Sequence, residues 1–592
     1  MTVDYRPVHR SLLSGESTFA RLGLSSGDLL ILAVAFFFCT AIGPFFVFPT
    51  YTPRMVLLLL ALLPGIVALI RLARRGDRAA LAACALALWI VVAALFSGAP
   101  RLALGGVFGR ESSALIAIGA LGLWALGREL SEPARQLLVP VLLTAFALSA
   151  LVGFFQILLS IDTGVFARTA DRASGLTTNP VYFGSLMGGA AALGAARWRQ
   201  RQRPELMLGF VAVFAFAVNL SGSRVALGAT VLVVAYITTR TGWKVGWQLP
   251  VAYLAGTLVS VGFVAAFGDG QGATARVTSG ATSGRLDVWR YGWSAFRERP
   301  VFGWGLGRFR AGVQEHLSAA FVREHAPNDS RPIIFDAHNI VVELTVTLGI
   351  VGLVLAGVFA WHAGRRTSGA LAAFVAVIAV TWFLQPAALS TLPIAMIALG
   401  ASRRETIDTE DSELTSSDAD APAALPAPPP PSRISAIALA VGVVSASWLV
   451  VADLRLNAAL DARDARRIDD AAGLFPADPV ISDLVAQAWY VEEELDQTLR
   501  PNVLEWSNRT TDVESDRAYW WARLAGRNLA FGDLDAVKAA LDEALERQPW
   551  HSLSWALMEL YAFRVEDPVL QAQAHSKLCQ LGAATECNSG ES

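Results

Sequence analysis

Three residues in this sequence have the chemistry to hold an anion beside an alcohol. Arg224 closes the turn Leu220-Ser221-Gly222-Ser223-Arg224, Arg285 closes Ser283-Gly284-Arg285, and His338 lies in Asp336-Ala337-His338-Asn339. Arg224 stands where an apolar run restarts. An arginine there is costly unless it snorkels or finds a partner. The free N–H groups, the serine hydroxyls and the positive dipole end of the new helix all favour an anion at the same spot. The plain alternative is a snorkelling arginine that meets lipid phosphate. His338 is one of only seven histidines. A neutral imidazole at the outer start of a span can take a proton near neutral pH; the plain alternative is a capping or interfacial histidine. Glu343 follows five residues on, about 140° around a helix, so it is not an obvious ring partner. No Asp-x-Asp pair sits in an outer loop of the membrane region, no His/Cys group has metal spacing, and no Walker-type phosphate loop occurs. A mechanism without metal or cofactor that relies on arginines is the simpler inference.

These residues need a scaffold, and the composition says which kind. The 592 residues are 54% hydrophobic and only 17% charged, with mean hydropathy +0.46. Soluble domains carry about a quarter charged residues, so this is a polytopic membrane protein. The net charge of −2 averages unlike regions and decides nothing. The expected fold is all-α: a transmembrane helical bundle of twelve spans plus one extra, a large external loop and a C-terminal helical-repeat domain.

Residues 1–27 are polar and lack a signal-peptide cleavage pattern, so the first span is expected to remain as an anchor. Spans read at 28–48, 53–71, 79–97, 112–128, 137–160, 180–196, 206–220, 223–239, 248–268, 340–361, 368–385 and 388–400. With the N-terminus in the cytoplasm, the cytoplasmic segments collect Arg71, Arg74, Arg75, Arg78, Arg128, Arg135, Arg197, Arg199, Arg201, Arg203, Arg240, Lys244, Arg365, Arg366, Arg403 and Arg404. The short outer loops hold only Arg54, Arg101, Arg110, Arg168, Arg172 and Arg224. That asymmetry obeys the positive-inside rule and puts the loop 269–339 outside. In that loop Trp289, Trp293 and Phe296 recur at helical spacing, which reads as one aromatic face of an interfacial helix with its arginines on the wet side.

Residues 401–433 turn acidic, Ser/Thr-rich and then Pro-rich, as expected of a disordered or extended cytoplasmic linker. A further span at 434–452 returns the chain to the outside, where 453–592 reads as helical. Trp521-Ala522-Arg523-Leu524, Gly532-Asp533, Ala536, Ala544-Leu545 and Pro549 resemble one tetratricopeptide unit; a generic helical hairpin domain is the alternative. Cys39 and Cys84 lie in apolar runs as packing residues. Cys579 and Cys587 can pair only if the C-terminus faces an oxidising compartment.

Taken in order, Ser221-Gly222-Ser223-Arg224 before a span, Ser283-Gly284-Arg285 with Trp289 and the Pro300/Gly303/Gly305/Gly307 run, and His338-Asn339 followed by Glu343 and Leu348-Gly349-Ile350-Val351-Gly352 resemble the O-antigen ligase and O-antigen polymerase superfamily of membrane glycosyltransferases. The resemblance covers 28–400. It implies transfer of a glycan from a polyprenyl diphosphate carrier to the hydroxyl of an acceptor, on the outer side of the bacterial cytoplasmic membrane. Arg224 and Arg285 match the family's arginines and would grip the diphosphate; His338 matches its histidine and would orient or deprotonate the hydroxyl. Arg168, Arg172, Arg290 and Arg308, with Asn339, are further substrate-binding candidates. Expected partners are the lipid-linked glycan, an acceptor (lipid, wall polymer or protein), membrane lipids and a protein bound through 453–592, with no nucleic acid. Ligase, polymerase and protein O-oligosaccharyltransferase remain open at this point. Two rivals come from other classes. A flippase of lipid-linked sugars would show broken or charged helices near mid-membrane and internal repeats. A scaffold presenting the tail would need one span rather than twelve.

Overall fold

In a computed structural model, residues 24–169, 171–177, 179–200, 203–268, 272–278, 284–325, 334–365, 367–402, 433–475, 477–494, 496–584 and 587 are described. The apolar runs become helices, and most begin where a short polar side chain can satisfy the orphan N–H groups. Ser25 and Asp28 form a capping box ahead of α1 (Ser26–Thr40). Helix α2 (Tyr51–Arg74) is followed by α3 (Arg78–Leu95), capped by Asp77, and by the short α4 (Pro100–Gly105). Then come α5 (Ala114–Glu129), α6 (Glu132–Leu158), α7 (Pro180–Arg199), α8 (Pro204–Leu220), α9 (Arg224–Thr241), α10 (Trp243–Gly246) and α11 (Gln248–Phe267). The large loop carries α12 (Ala273–Thr278), α13 (Arg285–Glu298), α14 (Phe309–Val313) and α15 (Ala319–His325). The bundle closes with α16 (Ile340–Gly364), α17 (Gly369–Trp382) and α18 (Leu392–Ala401).

A helix stands at each expected span, and the protein is a multi-pass helical bundle. Among the described residues six helices are long and apolar enough to cross a membrane by themselves: Tyr51–Arg74, Arg78–Leu95, Glu132–Leu158, Trp243–Phe267, Ile340–Gly364 and Ile434–Ala462. Helices α1, α8, α17 and α18 are shorter apolar helices. The described residues contain one isolated β-bridge, between Thr169 and Arg172.

The span expected at 340–361 is not continuous. Helix α16 breaks at Gly349, whose φ is 67°. The glycine run of the loop is inserted into that break. Trp304 N–H donates to the Val346 carbonyl (3.0 Å), Gly305 N–H to Thr347 (2.8 Å), and Ile350 N–H to Pro300 (2.9 Å). The indole of Trp89 in α3 donates to the Leu348 carbonyl at 2.9 Å. Backbone groups freed in a membrane helix must find partners; here a loop and an indole supply them. The approach leaves no room for side chains: a Cβ at Gly349 would meet the Val301 carbonyl at 2.0 Å, and one at Gly303 the Thr347 backbone at 2.5 Å. Phe302 then stacks between Trp89 (5.4 Å) and Phe96 (4.6 Å).

Helix α13 forms where the aromatic spacing predicted a helix, but its buried face is Val288, Gly292 and Ala295. Trp293 is exposed, while Trp289 is turned inward to bond the loop. The Trp293 ring lies 5.2 Å from that of Phe296, and the small residues Gly292 and Ala295 let the buried face pack closely on its neighbours.

Residues 403–432 lie outside the described residues, so the linker expected at 401–433 has no structural account. Helix α19 (Arg433–Ala462) does not stop at 452 but runs on without a break into the tail. The tail continues with α20 (Ala465–Ala472), α21 (Pro479–Glu493), α22 (Arg500–Val513), α23 (Ala518–Phe531), α24 (Leu534–Arg547), α25 (Ser552–Arg564) and α26 (Pro568–Leu581). Consecutive helices pair as α21 with α22, α23 with α24, and α25 with α26. Cys579 and Cys587 are disulfide-bonded.

The tail is seated on the membrane domain and on the loop. Asp453 accepts from Val47 N–H and the Thr52 hydroxyl, and Asp478 from Phe108 N–H, all at 2.6 Å. Glu514 sits among Arg308 (3.3 Å), Arg517 (3.4 Å) and Arg110 (3.5 Å). Burial alone would raise the pKa of this carboxyl; the three guanidiniums outweigh burial and hold it at about 2. Leu581 belongs to the same apolar cluster as Trp304, Phe309 and Phe321 of the loop.

Two outcomes are expected. Gly349→Ala adds a left-handed strain and a clash, costing at least about 1–3 kcal/mol, and lowers the thermal midpoint in detergent. Glu514→Gln strands buried arginines and weakens tail docking by about 3–5 kcal/mol, read as faster proteolysis between tail and loop. Because the Glu514 carboxyl is depressed from 4.5 to about 2, its contribution is complete above about pH 4.5 and disappears as the pH falls toward 2.

Candidate functional site

Three helices of the bundle, α6, α8 and α11, end near one another, and the segments that follow them bring arginines together. Gln156, near the end of α6, is fully buried. Its Oε1 accepts from Ser174 N–H (2.9 Å) and Gly175 N–H (2.8 Å), and its Nε2 donates to the Phe166 carbonyl (2.9 Å). Ala173 N–H donates to the carbonyl of Leu220, the last residue of α8, at 3.1 Å. Arg54, read from sequence as an outer-loop arginine, is instead fully buried and donates to the Phe38, Thr50 and Leu176 carbonyls. These bonds fix the loop that carries Arg172.

Asn219 performs the same service for α12. Its Oδ1 accepts from the N–H (3.0 Å) and hydroxyl (3.1 Å) of Thr274, while its Nδ2 donates to the Ser260 hydroxyl of α11 (3.1 Å). Two residues beyond Thr274 stands Arg276. Arg224 Nη1 donates to the Arg276 carbonyl at 3.1 Å, and Arg276 Nη1 to the Gly222 carbonyl at 3.4 Å. The turn itself is held by Ser221 Oγ, which accepts from Ser223 N–H, and by Ser223 Oγ, which caps α9 through Ala226 N–H.

The electrostatics of this corner are those of crowded cations. Burial and then the charge of Arg276 lower the Arg172 pKa to about 10. Arg285 is lowered by burial and by Arg224, and partly restored by Asp336. The Nε of Arg285 is buried and has no hydrogen-bond partner among the described residues. Guanidiniums that destabilise one another's charge are stabilised by an added anion, and forked N–H donors suit phosphate oxygens.

Through Arg285 the cation cluster reaches Asp336, and Asp336 holds His338. The Asp336 carboxylate accepts from the His338 backbone N–H at 2.9 Å, an Asx-type turn, and forms a short hydrogen bond with His338 Nδ1. With Asp336 ionised, that contact places a proton on Nδ1, so in a neutral imidazole the free lone pair is the one on Nε2. His338 itself has a left-handed backbone, φ 49°. Its neighbour Ala337 is clamped on both sides: its N–H donates to Glu343 Oε2 (2.8 Å), and its carbonyl accepts from the Trp289 indole (2.9 Å). Glu343 thus acts on the backbone, not on the imidazole. Asn339 caps α16 through Val341 and Val342 N–H and donates to the Phe383 carbonyl at 3.0 Å. The His338 side chain is 49% exposed, so an incoming group can reach it.

The candidates therefore separate. Arg172, Arg224 and Arg285 share one neighbourhood, with His338 and Asn339 at its edge; Ser283 lies outside the described residues. Arg168 is bound to Asp162 and Asp171. Arg290 is exposed and pairs with Asp287. Arg308 does not serve a phosphate: it is 2% exposed and bonded to Glu514 and Asp516 of the tail. Asp336 and Arg276 carry roles the sequence reading did not give them. Asp336 had a usable signal, an acid two residues before a histidine, which is the spacing of an Asx turn. Arg276 had none, since tertiary contacts, Asn219 with Thr274 and Arg224 with Arg276, bring α12 back to the end of α8.

Residues 208–357 match the family model described as O-Antigen ligase, Wzy_C. The matched stretch contains Arg224, Arg276, Arg285, Asp336 and His338. No curated protein matches the chain. Inorganic diphosphate is expected to raise the thermal midpoint of the wild type, the gain shrinking with added salt. In Arg276→Ala and in Arg285→Ala the gain should be at most half as large, measured by thermal shift in detergent.

Proposed function

We propose that this polytopic membrane protein, built around an O-antigen ligase domain at residues 208–357, transfers a glycan from a polyprenyl diphosphate carrier to an acceptor hydroxyl. The work is done at the outer face of the bacterial cytoplasmic membrane, by residues of the 28–400 domain and its loop 269–339. The observation that carries this reading is the continuity from Arg172, Arg224 and Arg276 through Arg285 to the Asp336–His338 pair. An anion-holding corner beside a poised imidazole is what displacement of a diphosphate by an alcohol requires.

The geometry supports the following roles. The guanidiniums of Arg224 and Arg285, assisted by Arg172 and Arg276, hold the diphosphate. The acceptor oxygen attacks the anomeric carbon as the bond from that carbon to the phosphate oxygen breaks. Nε2 of His338 takes the hydroxyl proton, and Asp336 stabilises the resulting imidazolium. The diphosphate leaves with the bonding electrons, and its growing charge falls on the arginines. Direct displacement inverts the anomeric centre. The disulfide between Cys579 and Cys587 supports an oxidising, external location for the tail, and the arginine asymmetry supports a cytoplasmic N-terminus. The helix break at Gly349, a feature also found in transporters, is filled by loop backbone and so argues for a docking point. A lipid, wall polymer or protein can serve as acceptor on this chemistry.

The test is transfer by purified protein from polyprenyl-diphosphate-linked glycan to candidate acceptors. His338→Ala should lower kcat by a factor of about 10²–10⁴ and leave carrier affinity intact. Asp336→Asn should lower kcat less, and Arg224→Ala should weaken both binding and turnover. Full transfer by His338→Ala would remove the imidazole from the mechanism.

A further inference from the structure

A groove of about 440 Å³ opens on the side of the bundle between α6, α8 and α11. Ala150 and Phe154 line it from α6, Ala212 and Phe216 from α8, and Gly256 and Val259 from α11. Its lining is almost wholly apolar. Three edge side chains, Leu151, Val213 and Val259, are about half exposed or more, so the groove opens sideways toward lipid. The small residues let α8 and α11 touch, since a Cβ at Gly256 would meet the Ala212 carbonyl at 2.0 Å. Its Phe154 and Phe216 belong to a ring cluster: Phe154 lies 4.9 Å from Phe263, and Phe216 lies 5.5 Å from the same ring.

These three helices are the ones whose following segments carry Arg172, Arg224 and Arg276. Phe154 and Phe216 lie four residues before the ends of α6 and α8, about 6 Å along the axis. Ser260, adjacent to Val259, bonds Asn219, which in turn holds Thr274. The apolar groove and the arginine-bearing segments therefore stand at successive levels along the same three helices, apolar first and cationic at the helix ends. An amphiphile with a matching division, a hydrocarbon chain ending in a multiply charged anion, fits the pair.

We infer that the α6–α8–α11 groove seats the diphosphate-proximal isoprene units of the carrier lipid, with the rest of the chain left in the bilayer. This rests on the function proposed above and deepens it by assigning the chain-binding surface. Several guanidiniums at the head of the groove suit a diphosphate better than the single phosphate of a membrane phospholipid. The small residues of the floor leave space for methyl branches.

The wild-type protein in vesicles is irradiated with a polyprenyl diphosphate bearing a photoreactive group on its first isoprene units, and separately with a phosphatidylglycerol bearing one on its acyl chain. The isoprenoid probe should label α6, α8 or α11 at Leu151, Val213 or Val259, and unlabelled polyprenyl diphosphate should compete. Labelling elsewhere, or equal labelling of these positions by the phospholipid, would overturn the assignment. A second measurement uses Ala255→Phe, which fills the groove. The ratio of kcat/KM for a long-chain carrier to that for a single-isoprene carrier should fall about tenfold; an unchanged ratio counts against the groove even if both rates drop. Competed labelling without any glycan transfer would retain the groove and reject the transferase reading. Transfer with labelling outside the groove would do the reverse.

Discussion

The arrangement depends on a bargain over backbone hydrogen bonds at Gly349. A membrane helix that breaks leaves carbonyl and N–H groups without intrahelical partners, a cost of several kcal/mol per group in hydrocarbon. Helix α16 meets that cost with the Pro300–Gly305 backbone and the Trp89 indole. The same bonds hold the large loop to the helix that follows His338 and Asn339. Since α13 leads directly into Pro300, the loop's arginine and its histidine are fixed through one short path. The rings of Trp89, Phe302 and Phe96 stack beside the joint.

Charge is distributed by a second rule. Arginines that serve architecture have acids or carbonyls for partners: Arg308, Arg110 and Arg517 surround Glu514, and Arg54 meets three carbonyls. Around the candidate site burial and the charge of Arg276 lower the Arg172 pKa, and burial and the charge of Arg224 lower that of Arg285, with Asp336 acting the other way. Counting residue types could not show this difference in surroundings.

Much of this was legible in the chain. Apolar runs placed the helices because the bilayer tolerates few alternatives, and the arginine bias suggested which ends belong together. Arg224 and Arg285 were marked by the turns that precede them, and His338 by its rarity and its place at a span's edge. What the residues could not reveal were relations set by tertiary contact. Nothing local distinguishes Arg276 from a loop arginine until Asn219 pulls Thr274 against α8. Nothing marks Arg308 as a strut until Glu514 arrives from over two hundred residues away. The break at Gly349 was present as a glycine in a hydrophobic run, but its meaning lies in the distant glycines that fill it.

Leu581 shares one apolar cluster with Trp304, Phe309 and Phe321, and Trp550 and Trp555 lean against it. The last helices are therefore part of the loop's own interior, not a pendant on a tether. A shortened chain ending at the proline-rich stretch would present that interior, together with the orphaned guanidinium of Arg308, to water. Such a truncation would be an opened protein instead of a smaller finished one, and any history in which the two parts were acquired separately would have required the seam between them to be rebuilt.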